Sequence, residues 1–363
     1  MKHSYSKKKI TFFINSLDVG GTEKHLLQIV KVLRGKYDLN IFAFKSGRLI
    51  DLFLREGVMV TFPKPYQNSL LFFLKFIFKS KTDLYHFFLP KSYIIAGIAT
   101  YFSKKKKIMS RRSLNYYHKK YFNISLFIEK FLHKKMDLIL TNSSLAKTQL
   151  INDENVKAKK IKLIKNLYKE KNIKKKLRNR FNIKDNQVLF AIVANLIPYK
   201  GHLDLIKACA NITDNNWKLL IIGEDRNNYL IKLKKVVKKL NLDDEIIFTG
   251  FINNVELFLN DIDFVVNVST EEGSSNSLLQ ALAAGIPIVA YNIDSNKDFV
   301  HDNKNGFLID YGNIDELTKY LNKMIKIKTR EQMGNYSNVI FKKIFSYKES
   351  EKDYLLVYDK LIN

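Results

Sequence analysis

Ten short apolar runs, five on each side of a basic stretch near residue 170, limit this chain's fold more than any other feature. The first five are ITFFINSL (10–17), LNIFAF (39–44), VMVTF (58–62), LYHFF (84–88) and LILTN (138–142). The second five are VLFAIVAN (188–195), KLLIIG (218–223), EIIFTG (245–250), DFVVNVS (263–269) and IPIVAY (286–291). Nearly every position in them is apolar, without the in–out alternation of a sheet that has one wet face. Such strands are covered on both faces, and the helical stretches between them supply the cover. The expected class is therefore α/β, with parallel doubly wound sheets. A chain of 363 residues exceeds the size at which one core stops growing, so two such domains are expected.

The boundary falls in YKEKNIKKKLRNRF (168–181), which is polar and basic. The expected division is a first domain at 1–168 and a second at 169–345, with a linker near 165–172 and a basic helix after it. The remaining segment, 346–363, is expected to be a helix packing back on the first domain.

Charge is distributed unevenly. Residues 1–200 carry 42 Lys and Arg against 12 Asp and Glu, whereas residues 201–363 carry 20 against 23. A basic half suggests an anionic partner: nucleic acid, an anionic membrane surface or a phosphorylated ligand. A lysine-rich background would also raise the total, but it explains the asymmetry less well. No RNA- or DNA-binding module is recognisable, and the aromatics sit in apolar runs, so nucleic acid ranks last. The single cysteine, Cys209, excludes a disulfide framework and a cysteine metal site, which fits a reducing cytoplasmic location. The first residues do not read as a signal peptide, and the longest apolar stretch, SLLFFLKFIF (69–78), is too short for a membrane span.

Three strand–loop–helix junctions carry the chemistry. In INSLDVGGTEKHLLQIVKVL (14–33), Gly20 and Gly21 open a helix, where free amides and the positive dipole end suit a phosphate. In VANLIPYKGHLDLIKACANI (193–212), Lys200 stands just ahead of Gly201 and a second helix start. The third is STEEGSSNSLLQALAAGIP (269–287), with two carboxylates and a glycine before a helix that carries Gln280. The Asp-x-Asp spacing at 261–263 suggests a metal, but it leads directly into an apolar strand, where a capping role is expected instead.

Together these motifs resemble the family 4 glycosyltransferases, retaining nucleotide-sugar enzymes of GT-B fold with two Rossmann-like domains facing across a cleft. The resemblance runs from FFINSLDVGGTEKHL through DLILTNSSLAK, VANLIPYKGH and STEEGSSNSLLQALAAGIP to NKNGFLID. It implies that Glu272 approaches hydroxyls of the transferred sugar and that Gly273, Ser274, Ser275 and Asn276 offer amides to the donor diphosphate. Gln280 occupies the ribose-binding position, where relatives carry Glu. Asn195 stands where relatives often carry an arginine that shares the diphosphate with Lys200. His86 matches a histidine near the transferred sugar, and Gly20 and Gly21, within the resembling stretch FFINSLDVGGTEKHL, are candidates for the donor phosphates. Arg111 and Arg112 are candidates for replacing the missing arginine or holding the acceptor.

The expected activity is retaining transfer of a hexose or N-acetylhexosamine from a nucleotide sugar, expected to be UDP-linked. The acceptor is a lipid-linked or surface-polysaccharide glycan. The resemblance implies no metal and no cofactor beyond the donor substrate. It also implies peripheral contact with the anionic inner face of the plasma membrane, for which segments 68–81 and 101–112 are candidates. Two alternatives remain open at this point: a non-catalytic nucleotide-sugar-binding subunit, suggested by Gln280 and Asn195, and a GT-B-fold sugar-nucleotide epimerase.

Overall fold

The structure, a computed structural model, describes residues 7–64, 68–115, 124–168, 177–225 and 228–362. They fall into two units, Met1–Leu167 with Tyr347–Asn363, and Tyr168–Ser346.

The first unit is a seven-stranded parallel sheet in the order β3-β2-β1-β4-β5-β6-β7. Its strands are β1 (Lys9–Ser16), β2 (Asp38–Lys45), β3 (Met59–Thr61), β4 (Leu84–Phe88), β5 (Lys106–Arg111), β6 (Leu138–Thr141) and β7 (Ile161–Leu163). The helices are α1 (Gly21–Leu33), α2 (Ile50–Arg55), α3 (Ser69–Lys79), α4 (Pro90–Ala99), α5 (Ile124–His133) and α6 (Ser144–Asn152). Strand β5 was not among the apolar runs because KKIMSR hides its nature. Its Lys107, Ser110 and Arg111 are buried polar residues with dedicated partners rather than exposed ones. Lys107 reaches the carbonyls of Ser103 and Lys105, and burial pushes its ammonium pKa down.

Helix α3 contributes Phe73 to an aromatic cluster with Phe13 and Phe42, so the middle of the 68–81 segment belongs to the core. Its Leu70, Leu71 and Phe78 remain exposed.

The second unit repeats the winding in a six-stranded parallel sheet ordered β10-β9-β8-β11-β12-β13. These are β8 (Val188–Val193), β9 (Trp217–Ile222), β10 (Ile246–Gly250), β11 (Phe264–Asn267), β12 (Ile288–Tyr291) and β13 (Gly306–Ile309). Its helices are α7 (His202–Cys209), α8 (Tyr229–Lys239), α9 (Asn276–Ala283), α10 (Asp294–Lys297), α11 (Ile314–Ile325) and α12 (Ile327–Ile344). Most of the basic helix expected after the linker lies outside the described residues. The described part, Arg178–Phe181, is a single 3-10 turn.

Asp261 caps this turn, and Asp263 ties it to β8. Asp261 accepts from the amides of Leu177 and Arg178, and Asp263 accepts from the Leu189 amide at 2.7 Å and from Arg178 Nη2 at 2.8 Å.

The last helix, α13 (Tyr347–Ile362), packs in the first unit against α1. Its buried stripe is Tyr354, Val357 and Tyr358. The Tyr354 hydroxyl hydrogen-bonds His25 Nε2 at 2.8 Å, and Asp359 accepts from Lys36 at 2.7 Å and from the Tyr37 hydroxyl.

Candidate active site

In the second unit the strand order changes direction between β8 and β11, and open α/β sheets bind ligands beyond the strand ends at such a switch point. The loops leaving these two strands carry Lys200 and Glu272. Lys200 Nζ donates to Glu272 Oε1 at 2.6 Å, with side-chain exposures of 14% and 16%. Ser269 Oγ donates to the same oxygen at 3.3 Å, and the ammonium also lies 5.1 Å from the Tyr199 ring centroid.

Backbone geometry holds the loops together. The Thr270 amide donates to the Tyr199 carbonyl at 2.9 Å. Gly201 adopts φ +74° against β11, where a Cβ would collide with the Val268 carbonyl oxygen. Both the left-handed backbone and the close approach call for glycine.

Helix α9 begins beside this pair. Ser275 is its N-cap, accepting from the Leu278 amide at 3.4 Å and from Asn267 Nδ2 at 3.1 Å. The buried Ser275 side chain is therefore occupied with capping, and what it can still offer a ligand is backbone. Gln280 lies on α9 one turn beyond Asn276 and is half-buried, while Glu271 is exposed. The Asn195 side chain accepts from the Glu224 amide at 3.3 Å, joining the ends of β8 and β9.

His202, directly after Gly201, is fully buried. Burial holds its pKa down to about 4, against the Ala194 carbonyl, which favours the protonated ring, and with the Lys200 charge, which opposes it. Sequence reasoning missed Asn267, Ser269 and His202. The only signal was polar residues standing where an apolar strand ends.

The first unit corrects two expectations. His86 sits in the middle of β4 with no exposure, 2.6 Å from the Tyr358 hydroxyl through Nδ1 and 2.8 Å from Ser110 Oγ through Nε2. With both ring nitrogens engaged it is a core histidine, and burial keeps its pKa well below the ordinary value. Arg111 is buried in an ion cluster, its Nη2 donating to Glu129 at 2.7 Å and to Glu154 at 2.5 Å, so it is not presented to a phosphate.

Arg112 differs from its neighbour. It donates to Asn166 Oδ1 at 3.0 Å, and burial pushes its pKa down to about 10, opposed by Tyr354 and Glu23. Glu23 lies in the first turn of α1, where Gly20 is the N-cap and Gly21 the first residue. A Cβ at Gly20 would meet the Glu23 carboxylate.

Among the described residues, Glu129, His133 and Glu154 form a group with metal-ligand chemistry. The Arg111 guanidinium already takes an oxygen of each of the two carboxylates and stands where a cation bridging them would sit.

Residues 19–168 match the family model described as Glycosyltransferase Family 4, and residues 173–339 match Glycosyl transferases group 1. The chain is a family 4 glycosyltransferase of GT-B type. This hexosyltransferase-type enzyme is 27% identical over 337 residues to a Campylobacter jejuni protein, covering 88% of this chain and 90% of that one. That relative is the N-acetylgalactosamine-N,N'-diacetylbacillosaminyl-diphospho-undecaprenol 4-alpha-N-acetylgalactosaminyltransferase.

It is also 24% identical over 361 residues to the Escherichia coli UDP-Gal:alpha-D-GlcNAc-diphosphoundecaprenol alpha-1,3-galactosyltransferase, covering 90% and 89% of the two chains. Among solved structures, Anabaena HepE in complex with UDP and glucose superposes with a TM-score of 0.87 at 20% identity, over 98% of this glycosyltransferase and all of that chain.

Proposed function

We propose that this glycosyltransferase moves a hexosyl or N-acetylhexosaminyl group from a UDP-sugar to a lipid-linked glycan, with retention of the anomeric configuration. The observation that carries the reading is the Lys200–Glu272 pair at the switch point of the second unit. The names of the Campylobacter and Escherichia relatives support the acceptor class, and the latter name and the HepE complexes support UDP.

As the bond from the sugar carbon to the donor oxygen breaks, negative charge grows on the β-phosphate. Lys200 is the cation placed to stabilise it, together with the amides at the start of α9. Glu272 both orients Lys200 and accepts from sugar hydroxyls, and Gln280 takes the ribose without charge assistance. The leaving phosphate oxygen accepts the acceptor's proton in a front-side attack. In this reading no metal takes part, and Arg112 is the arginine available for an acceptor phosphate. The reading places the enzyme in the cytoplasm, in peripheral contact with an anionic membrane surface.

Incubating the protein with UDP-Gal, UDP-GalNAc, UDP-Glc or UDP-GlcNAc and a polyprenyl-diphosphate sugar tests the reading, with products followed by mass spectrometry and NMR. An α-linked product and released UDP are expected. A β-linked product would remove retention. Donor binding without transfer, or conversion of the donor to an epimer without acceptor, would replace the function.

A further inference from the structure

At the N-terminal ends of its strands the first sheet departs from its own pattern. Parallel strands covered on both faces are apolar at nearly every position, yet β1 and β2 begin with polar side chains on a shared face. Lys9 stands opposite Asp38 in the register, Thr11 opposite Asn40, and Asn40 opposite Met59. Paired residues of parallel strands point to the same side, as do residues two apart on one strand. Two positions further on, the same face carries Phe13 and Phe42 of the aromatic cluster.

Thr11 and Asn40 are both buried, but only one of them is satisfied. The Thr11 hydroxyl hydrogen-bonds that of Thr82 at 2.7 Å. The Asn40 side chain is 7% exposed and has no hydrogen-bond partner among the described residues. A buried amide left without a partner destabilises the fold, so its retention calls for a use outside folding.

Asn40 lines a cleft of about 570 Å³ at the starts of β1, β2 and β3, the end of the sheet opposite the Gly20–Gly21 turn. One wall is fixed by internal contacts. Glu56 pairs with Arg34 and, at 3.7 Å, with Lys31, while the Tyr37 hydroxyl donates to Asp359. Three charges lining the cleft are left over. Lys7, Lys9 and Asp38 have no ion-pair partner among the described residues. Met59, 58% exposed, adds an apolar surface beside Asn40.

We propose that this cleft is a binding site for a sugar phosphate. Two unpaired ammoniums against one carboxylate select an anion, and lysine holds a phosphate as a point charge. Lys7 and Lys9 take the phosphate, Asp38 accepts from ring hydroxyls, and Asn40 both donates to and accepts from a further hydroxyl. Met59 covers an apolar face of the ring. A bare anion would leave Asp38 and Asn40 unused, and a neutral sugar would leave both lysines unpaired. The volume suits a ligand of this size rather than a lone ion. The site belongs to the first unit and shares no residue with the Lys200–Glu272 site of the second, so it stands independently of the transfer reaction.

Equilibrium dialysis of the full chain against radiolabelled glucose 1-phosphate and N-acetylglucosamine 1-phosphate tests this, with saturating UDP present to fill the donor site. Saturable binding of one equivalent is expected, with inorganic phosphate at least about tenfold weaker as a competitor. K7Q/K9Q should weaken binding by about tenfold or more and leave the thermal midpoint unchanged, since neither lysine has a partner to lose. Asn40→Leu separates a ligand-binding amide from a structural one. It should weaken binding by about tenfold and raise the thermal midpoint, because an apolar side chain of similar size removes the unpartnered amide. The proposal is overturned if neither sugar phosphate is retained in the presence of UDP, or if inorganic phosphate competes as well as the sugar phosphates bind. It is also overturned if K7Q/K9Q binds as native does, or if Asn40→Leu keeps native affinity and loses stability, since Asn40 would then serve the fold.

Discussion

Lys200 and Glu272, 72 residues apart in the chain, meet at 2.6 Å across the loops that leave β8 and β11. A parallel sheet produces this contact because every strand of one direction ends on the same side, and the reversal of winding parts the helices there. The pair gives a cation and a carboxylate a shared, partly enclosed position before any donor arrives.

Removing either partner should affect chemistry more than folding. Lys200→Met or Glu272→Gln should lower turnover by about two to three orders of magnitude, the usual cost of deleting one transition-state contact. The thermal midpoint should move far less than turnover does, because the Thr270–Tyr199 backbone bond still joins the two loops when either side chain is changed. Initial rates and circular-dichroism melts measure the two effects. A variant with native turnover would remove the assignment.

Gln280→Glu should tighten donor binding by roughly three- to tenfold by restoring a charge-assisted hydrogen bond to ribose. Titration with UDP and a UDP-sugar measures this, and unchanged or weaker affinity would show that Gln280 does not face the ribose.

Gly201→Ala should cost about 2 kcal/mol or more, because φ +74° is unfavourable for alanine and its Cβ would strike the Val268 carbonyl. Urea unfolding reads the loss. Turnover should fall with it, since Lys200 is carried by the same turn.

Arg111→Met should destabilise the fold by about 3–5 kcal/mol, since it leaves Glu129 and Glu154 buried without their guanidinium. If Arg111 instead held a substrate phosphate, the variant would keep its melting temperature and lose substrate affinity.

Stability should fall with acid before the carboxylates titrate. His25, His86 and His202 are buried with pKa values held below the ordinary 6.5, mainly by burial. The unfolded chain then binds protons that the folded chain refuses. This stabilisation is complete above pH 6.5 and is lost as pH falls below it, with His202 titrating near 4. Each histidine contributes a slope of about 1.4 kcal/mol per pH unit in that window. Urea melts at successive pH values measure the slope, and His202→Gln should flatten it by one histidine's share.

The apolar runs located most of both sheets. They missed β7 and β13, and β5 as well, whose buried lysine and arginine look like surface residues until their partners are known. The strand-to-helix junctions that carry Lys200, Glu272 and the α9 start were legible in the runs, whereas the roles given to these residues came from the family resemblance. Asn267, Ser269 and His202 were not, since a lone polar residue at a strand end has no distinctive pattern.

Local sequence settles what depends on neighbours along the chain: strand runs buried on both faces, glycine at positive φ, and the loops that carry charged groups. It cannot settle which way a side chain faces when its partner lies far away in sequence. His86 looked like a sugar-facing histidine until Tyr358, 272 residues on, closed over its ring. Arg111 looked like a phosphate ligand until Glu129 and Glu154 enclosed it. Burying a charge or an imidazole is tolerable only where packing delivers its partner, and that delivery is a property of the folded chain.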